Sequence, residues 1–417
     1  MPSKLKILQI NKFHYIKGGA ERYYFDNAEI LAKNGHNIAF FSMKHPQNRP
    51  SRWEKYFIDY IEYGDDNIGL AKKIRAVFNI FYNFQAKRNL EKLIKEFKPD
   101  VAHLHNIAHQ LSPAIIYTLK KYNIPMVQTL HDYKLICPNY KLFNKGKICH
   151  QCRGGKYYNC FLGKCLKNSY LKSFLAMSEA HFYNKILKIY EKIDLFIAPS
   201  RFVKDICVGF GAPKEKIKTL PYFIRTDKFK PKYESGKYLL YLGRLTEEKG
   251  TDTLLEAMRS LGDEARLKII GTGEAEEALK TKCRELGLEK RVEFLGRKTG
   301  EELREIIRNS LALIVPSKWP EVSGIVNMEA GALGKPVIAS DIGGIKEVVR
   351  EGETGLLFKP GSSRDLFEKI NKYLRDFKLV QKHGRQASAW ISQNFSPAQH
   401  YGEISKIYLS LCKKRKS

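Results

Sequence analysis

The chain is poor in acid. Across 417 residues, 44 Asp and Glu stand against 73 Lys and Arg, a formal net charge of +29 at pH 7. Long apolar runs are missing too: none approaches the roughly 18 residues that span a bilayer as a helix, so no transmembrane helix is expected. The opening MPSKLKILQINKF has an apolar part too short for a secretory signal and no small-residue cleavage site. It is read as a strand, and a cytoplasmic location is expected. Short-period repeats and low-complexity tracts are absent, which sets aside solenoids and disordered tails. What is present, 43% hydrophobic and 12% aromatic residues, suffices for real cores. At about 150 residues per domain, the length allows two or three of them.

The basic surplus is uneven. Residues 1–200 carry 32 Lys/Arg and 15 Asp/Glu, and residues 120–192 carry 14 against 3. Such a surface attracts polyanions: nucleic acid, anionic lipid headgroups or pyrophosphate-bearing substrates. A solvated lysine-rich face is the plain alternative. Five of the eight cysteines fall within 29 residues, at Cys137, Cys149, Cys152, Cys160 and Cys165. In a cytosolic chain such crowding favours metal or reactive thiols over disulfides. Cys149-His-Gln-Cys152 has the two-residue gap that turns two sulfurs onto one ion, and Cys160 and Cys165 complete a four-thiol set. A structural zinc, an iron–sulfur cluster and metal-free thiols all fit that spacing.

Lys4 to Gln9 reads as a strand, followed by a Gly18-Gly19 loop, an amphipathic helix from Glu21 to Lys33 stopped by Asn34-Gly35, and a strand over Asn37 to Met43. This order is a βαβ unit, the repeat of parallel sheets covered by helices. Further strands are predicted at 100–104, 126–130 and 194–199, and again at 238–242, 267–270, 292–295, 311–315 and 337–339. Residues 225–236 are polar, with Pro231 and Gly236, and read as a linker between two α/β domains. A helix over Ala71 to Lys98, with Lys72, Lys73 and Arg75 ahead of Phe78, Phe81, Tyr82 and Phe84, is read either as a core element or as an interfacial helix on lipid. Asp65-Asp66, in a Gly-Asp-Asp-Asn loop of the first half, is set aside as a metal pair because magnesium needs its carboxylates beside the phosphates.

The richest stretch follows the strand at 311–315. There a loop carries Glu321 and Gly324, and a helix opening at Ile325 and Val326 carries Glu329 a turn inside. Free amides at a helix start are a phosphate site. Carboxylates in the same place accept hydrogen bonds from sugar or ribose hydroxyls. Cations must offset them, and Gly243-Arg244-Leu-Thr-Glu-Glu-Lys249-Gly250, after another strand, supplies two. Each piece is weak alone; together, at matching strand ends of one domain, they are specific.

With these residues the sequence resembles, over nearly its whole length, the retaining glycosyltransferases of family four, or group one. The glutamate–seven residues–glutamate motif falls on Glu321 and Glu329, followed by Lys335-Pro-Val-Ile-Ala-Ser340 and Gly343-Gly344. Gly243-Arg244 with Lys249-Gly250 resembles the diphosphate motif, and Gly18-Gly19, His103-Leu-His105, His131-Asp132 and Pro199-Ser200 are similar to amino-domain signatures. Val322-Ser323-Gly324 departs from the aromatic–Gly pair that usually follows the first glutamate, which bears on the donor sugar.

The resemblance implies a GT-B fold, two facing Rossmann-like α/β domains with a cleft between them. Residues 1–224 would form the acceptor-binding domain with a Cys-rich insert at about 137–165. Residues 237–396 would bind the nucleotide sugar, and 397–417 would be a helix crossing back to the first domain. Glu329 would take the ribose, Arg244 and Lys249 the diphosphate, and the Ile325 and Val326 backbone behind Gly324 the outer phosphate. Glu321 would engage the donor sugar, and Arg297 would lie near the base. Gly19 would let the chain approach the donor, and His131 would face the cleft. Fixed cations would do without a catalytic metal. The partners implied are a UDP- or GDP-linked sugar, a saccharide or lipid-linked acceptor and an anionic membrane face, with no nucleic acid. Rival readings are a GT-B nucleotide-sugar epimerase and a zinc-knuckle nucleic-acid-binding protein.

Overall fold

A computed structural model describes residues 4–61, 77–234 and 236–416. Asp65-Asp66 and residues 71–76 of the basic aromatic helix lie outside the described residues. Among these, two six-stranded parallel sheets carry the architecture. The first contains β1 (Lys6–Ile10), β2 (Asn37–Phe41), β3 (Val101–Leu104), β4 (Met126–Thr129), β7 (Leu195–Ala198) and β8 (Ile217–Thr219) in the order β2-β1-β3-β4-β7-β8. Its β4 and β7 are separated by an insert holding a two-stranded antiparallel hairpin, β5 (Phe143–Asn144) and β6 (Lys147–Ile148). The second sheet contains β9 (Leu239–Leu242), β10 (Leu267–Ile270), β11 (Val292–Phe294), β12 (Ala312–Val315), β13 (Val337–Ser340) and β14 (Gly355–Phe358), ordered β11-β10-β9-β12-β13-β14.

In chain order the second sheet is the 3-2-1-4-5-6 arrangement of dinucleotide-binding folds, and the first reverses between β1 and β3. Helices on both faces explain why β3, β7, β12 and β13 are buried at every residue instead of alternating. Strand order reverses at β9/β12 and at β1/β3. Loops leaving the carboxyl ends of neighbouring strands diverge there, which opens a crevice for a ligand in each half.

Four strands escaped the sequence reading, β5 and β6 of the hairpin and two in the sheets. β8 and β14 are edge strands of three and four residues, too short for a periodic signal. The single helix expected over 71–98 is also corrected. A helical turn ends at Phe81, and a new helix, Phe84–Phe97, starts behind Asn83. The Asn83 side chain accepts from the Ala86 amide at 2.9 Å, and its backbone N–H donates to Ser112 Oγ at 2.9 Å, so a cap divides what looked continuous.

The last helix, Pro397–Lys416, packs on the first sheet. There Tyr408 Oη meets His103 Nδ1 at 2.6 Å and His400 Nε2 meets Tyr23 Oη at 3.0 Å. Ile404, Ile407 and Tyr408 share one apolar cluster with Ile7, Leu31 and Val127 of the first half and with Met328 and Ile391 of the second. The chain thus passes between the halves twice. The two passages touch, Ile224 N–H donating to the Phe395 carbonyl at 3.0 Å.

Candidate active site

The loop after β9 and the loop after β12 leave adjacent strand ends, so their side chains meet. Lys249 Nζ lies 2.7 Å from Glu321 Oε1 and 5.2 Å over the Trp319 ring. Ser317 Oγ donates to the same carboxylate oxygen at 2.6 Å. Burial raises the Glu321 pKa, but the Lys249 charge and the hydrogen bonds from Lys249 and Ser317 outweigh it, so the carboxyl stays below its ordinary value and ionised. Glycine makes this packing possible. Gly250 has φ of +68°, and a Cβ there would collide with the Pro316 carbonyl. Gly343 and Gly344 lie against the backbone of Glu321 and Val322, with Gly344 N–H donating to the Glu321 carbonyl at 2.7 Å.

Gly324, with φ of +103°, turns the chain into the Ile325–Ala332 helix, whose first-turn amides at Ile325 and Val326 have no acceptor within the helix. Glu329, eight residues past Glu321, is buried and paired with Arg22 of the first half. Gly19 backs against Ile325, where an added Cβ would stand 3.0 Å from Ile325 Cδ1. Arg297 Nη2 donates to the Ile16 carbonyl at 3.0 Å. One N-terminal segment, residues 16–22, therefore touches Arg297, Ile325 and Glu329 in turn. Arg244 is the loosest member, with its side chain 64% exposed and its nearest acid, Glu248, at 3.9 Å.

The halves meet around this crevice. Tyr133 Oη donates to the Pro320 carbonyl at 2.6 Å and Ser200 Oγ to that of Val322 at 2.7 Å. The Glu347 carboxylate accepts from the Arg201 and Phe202 amides at 2.9 Å each. From the insert, Lys141 Nζ reaches Glu248 Oε1 at 3.1 Å, in the loop after β9.

His131 follows β4 and is saturated by protein. Its Nδ1 meets Tyr222 Oη at 2.6 Å and its Nε2 meets His105 Nδ1 at 2.9 Å, while His105 Nε2 meets Gln9 Oε1 at 2.7 Å. Burial holds His131 down to about 3, a neutral ring. Sequence reasoning missed this chain and also missed Arg22, which lies 307 residues from Glu329 and carries no spacing signal. Asn327 was missed as well. It is buried behind Gly324, with both side-chain polar atoms lacking a hydrogen-bond partner among the described residues.

The metal role expected of Cys149, Cys152, Cys160 and Cys165 gains no support. Among the described residues no group of three or more His, Cys, Asp or Glu side chains is placed to hold a metal. Cys152 and Cys160 instead pack with Tyr157, Ala176 and Ala180 as the apolar core of the insert, with Cys165 against them. Burial pushes the Cys152 thiol up to about 12, and Cys137, Cys149, Cys152, Cys160 and Cys165 form no disulfide with one another.

Two Rossmann-type sheets facing across a crevice, with a helix start, a Lys–Glu pair and glycine-tight loops on one side, define a GT-B glycosyltransferase. The family model for Glycosyltransferase Family 4 matches residues 17–228 and that for Glycosyl transferases group 1 matches residues 223–390. The chain belongs to glycosyltransferase family 4. It is 28% identical, over 83% of its length and 88% of the relative's, to an uncharacterized 42.6 kDa protein in the cps region of Klebsiella pneumoniae. Among solved structures it resembles sucrose-phosphate synthase from Thermosynechococcus elongatus, with a TM-score of 0.73, 20% identity and 98% and 99% of the two chains covered. It also resembles HepE of Anabaena in complex with UDP-glucose, with a TM-score of 0.67, 19% identity and 97% and 100% covered. Among the described residues, no helix is long and apolar enough to cross a membrane.

Proposed function

We propose that the protein moves a hexosyl group, with retention and without a catalytic metal, from a UDP- or GDP-linked donor to a hydroxyl of a saccharide or lipid-linked acceptor. The assembly served is a cell-surface polysaccharide or glycolipid, and the enzyme works peripherally at the inner membrane face. The carrying observation is the part-buried Lys249–Glu321 pair beside the Gly324 helix start. A leaving nucleoside diphosphate gains negative charge, and a fixed ammonium with free amides stabilises that charge as it develops. Arg244, exposed at the loop mouth, closes on the diphosphate from solvent. Glu321 orders donor-sugar hydroxyls, and Glu329 exchanges Arg22 for the ribose. His131 backs the sugar side of the cleft, and Gly19 leaves room for donor and acceptor to meet. The UDP-glucose on HepE and the cps-region location of the Klebsiella relative support the donor class and the pathway class.

The test is a panel of UDP- and GDP-sugars scored by released nucleoside diphosphate. The parent should turn over one donor, and Lys249→Ala and Glu321→Ala should each lower kcat about 10²–10³-fold with the fold intact. Equal turnover by all three proteins would remove the site assignment.

A further inference from the structure

The insert between β4 and β7 has a surface that the transfer reaction does not use. From Tyr133 to Ile186 the sequence holds ten Lys/Arg and one acid, Glu179. That acid is buried, paired with Lys134 at 2.7 Å and with His109 at 3.2 Å. No side chain of this segment therefore offers negative charge to solvent. The same segment exposes unusual apolar surface. Of the thirteen large apolar side chains exposed among the described residues, eight lie between Tyr140 and Ile186, so the exposure is concentrated and not scattered.

The patch is built by two short helices. Tyr158–Leu162 presents Tyr158 and Leu162, four residues apart and so on one face. Tyr170–His181 presents Tyr170, Leu171 and Phe174 from its first turns. Phe161 joins the two, its ring 5.4 Å from Tyr170 and 6.0 Å from Phe174. Leu171 is 70% and Leu162 64% exposed, more than a watery surface needs to carry. Lys164 Nζ stands 4.3 Å over the Tyr170 ring, and Lys156, Lys167 and Lys172 are exposed around it.

Leucine and phenylalanine ringed by tyrosine and lysine match the layers of a lipid interface. Apolar groups meet the acyl boundary, phenols sit at headgroup level, and long lysine stems reach back to phosphate. A second copy of the same face would set Lys156, Lys164, Lys167 and Lys172 against their own copies with no acid to offset them, which disfavours self-pairing. We propose that this face of the insert docks the protein on an anionic bilayer, with Leu162, Leu171 and Phe174 entering the acyl boundary. Lys156, Lys164, Lys167 and Lys172 then contact lipid phosphates. The inference deepens the membrane part of the proposed function and gives the insert its role.

The full chain is floated with vesicles of phosphatidylcholine alone and with one quarter phosphatidylglycerol, at low and high salt. The parent should bind only the anionic vesicles, and salt should release it. Leu162→Ser with Leu171→Ser should weaken binding by about tenfold or more. Lys164→Glu with Lys167→Glu should do the same, while both variants keep the parent's melting temperature and its nucleoside diphosphate release in vesicle-free buffer. Vesicle binding unchanged in the leucine pair overturns the proposal. So does a parent that ignores anionic vesicles at low salt, that binds single-stranded nucleic acid as tightly as vesicles, or that dimerises through this face. A parent that binds vesicles but turns over no donor leaves this inference standing and removes the transferase site assignment instead.

Discussion

The two halves are built on similar sheets, yet their backbones obey different rules. In the second half, every described residue in the left-handed region is a glycine: Gly250, Gly271, Gly324 and Gly343 among them. The first half places eleven other residues there, six of them in the insert: Tyr140, Leu142, Lys145, Lys164, Lys167 and Asn168. Packing distance explains the glycines at the crevice, whereas Gly287, Gly296, Gly300, Gly352 and Gly361 have open space where a Cβ would stand and only the left-handed backbone favours glycine there. Around the donor crevice the loops lie on one another's carbonyls, and only a missing Cβ fits; at Gly271 it would strike the Gly243 carbonyl and at Gly343 that of Glu321. In the insert Lys145, Lys164, Lys167 and Asn168 turn at the surface, where a side chain costs only the local strain, while Leu142 turns with its side chain buried in the core. The crevice loops of the second half are therefore sterically committed at Gly250, Gly271 and Gly343.

The contrast extends to charge, where the largest effect is expected. His14 and His400 are each held down to about 4 by burial, and His131 to about 3; all three pack in or on the first half. A histidine whose folded pKa lies below its unfolded 6.5 takes up protons on unfolding, so its stability contribution is intact at neutral pH and is lost as pH falls below about 6.5. By pH 5, His14 and His400 should each cost about 2 kcal/mol. The second half has one such group, His383. Amide exchange, corrected for intrinsic rates, should show the first sheet losing protection between pH 7 and 5 while β9–β13 keep theirs. Equal losses would break the comparison.

A smaller effect isolates the steric rule. Gly250→Ala adds both left-handed strain and a collision with Pro316, and should cost about 2–3 kcal/mol along with donor turnover. Thermal melting and nucleoside diphosphate release read both losses; an unchanged melting point would show that the loop has room after all. The smallest effect lies in the insert. Lys145 and Gly146, with φ of +49° and +74°, form the two-residue turn of the β5–β6 hairpin. Such turns favour Asn before Gly. Lys145→Asn should stabilise the hairpin by about 0.5 kcal/mol, slowing exchange of the 142–149 amides about twofold. Faster exchange would mean that Lys145 is there for packing.

These rules explain what could be read from the chain. Glu321, Glu329, Lys249 and Gly324 were legible because spacing, strand ends and glycines all announce tight turns there. The hairpin was not, since Asn144-Lys145-Gly146 holds the favoured pair one residue out of register. The metal set was inferred from spacing that a buried thiol core also satisfies. Arg22 on Glu329, and the chain from Gln9 through His105 and His131 to Tyr222, join residues from distant strands, and no local pattern encodes such meetings.

The two passages of chain between the halves, clasped at Ile224 and Phe395, have a mechanical result. A single strand would act as a ball joint and let the lobes swivel freely; two strands fastened side by side permit rotation about one axis, like the paired pins of a door. Any separation of the Gly324 helix from Gly19 must therefore bend both passages together.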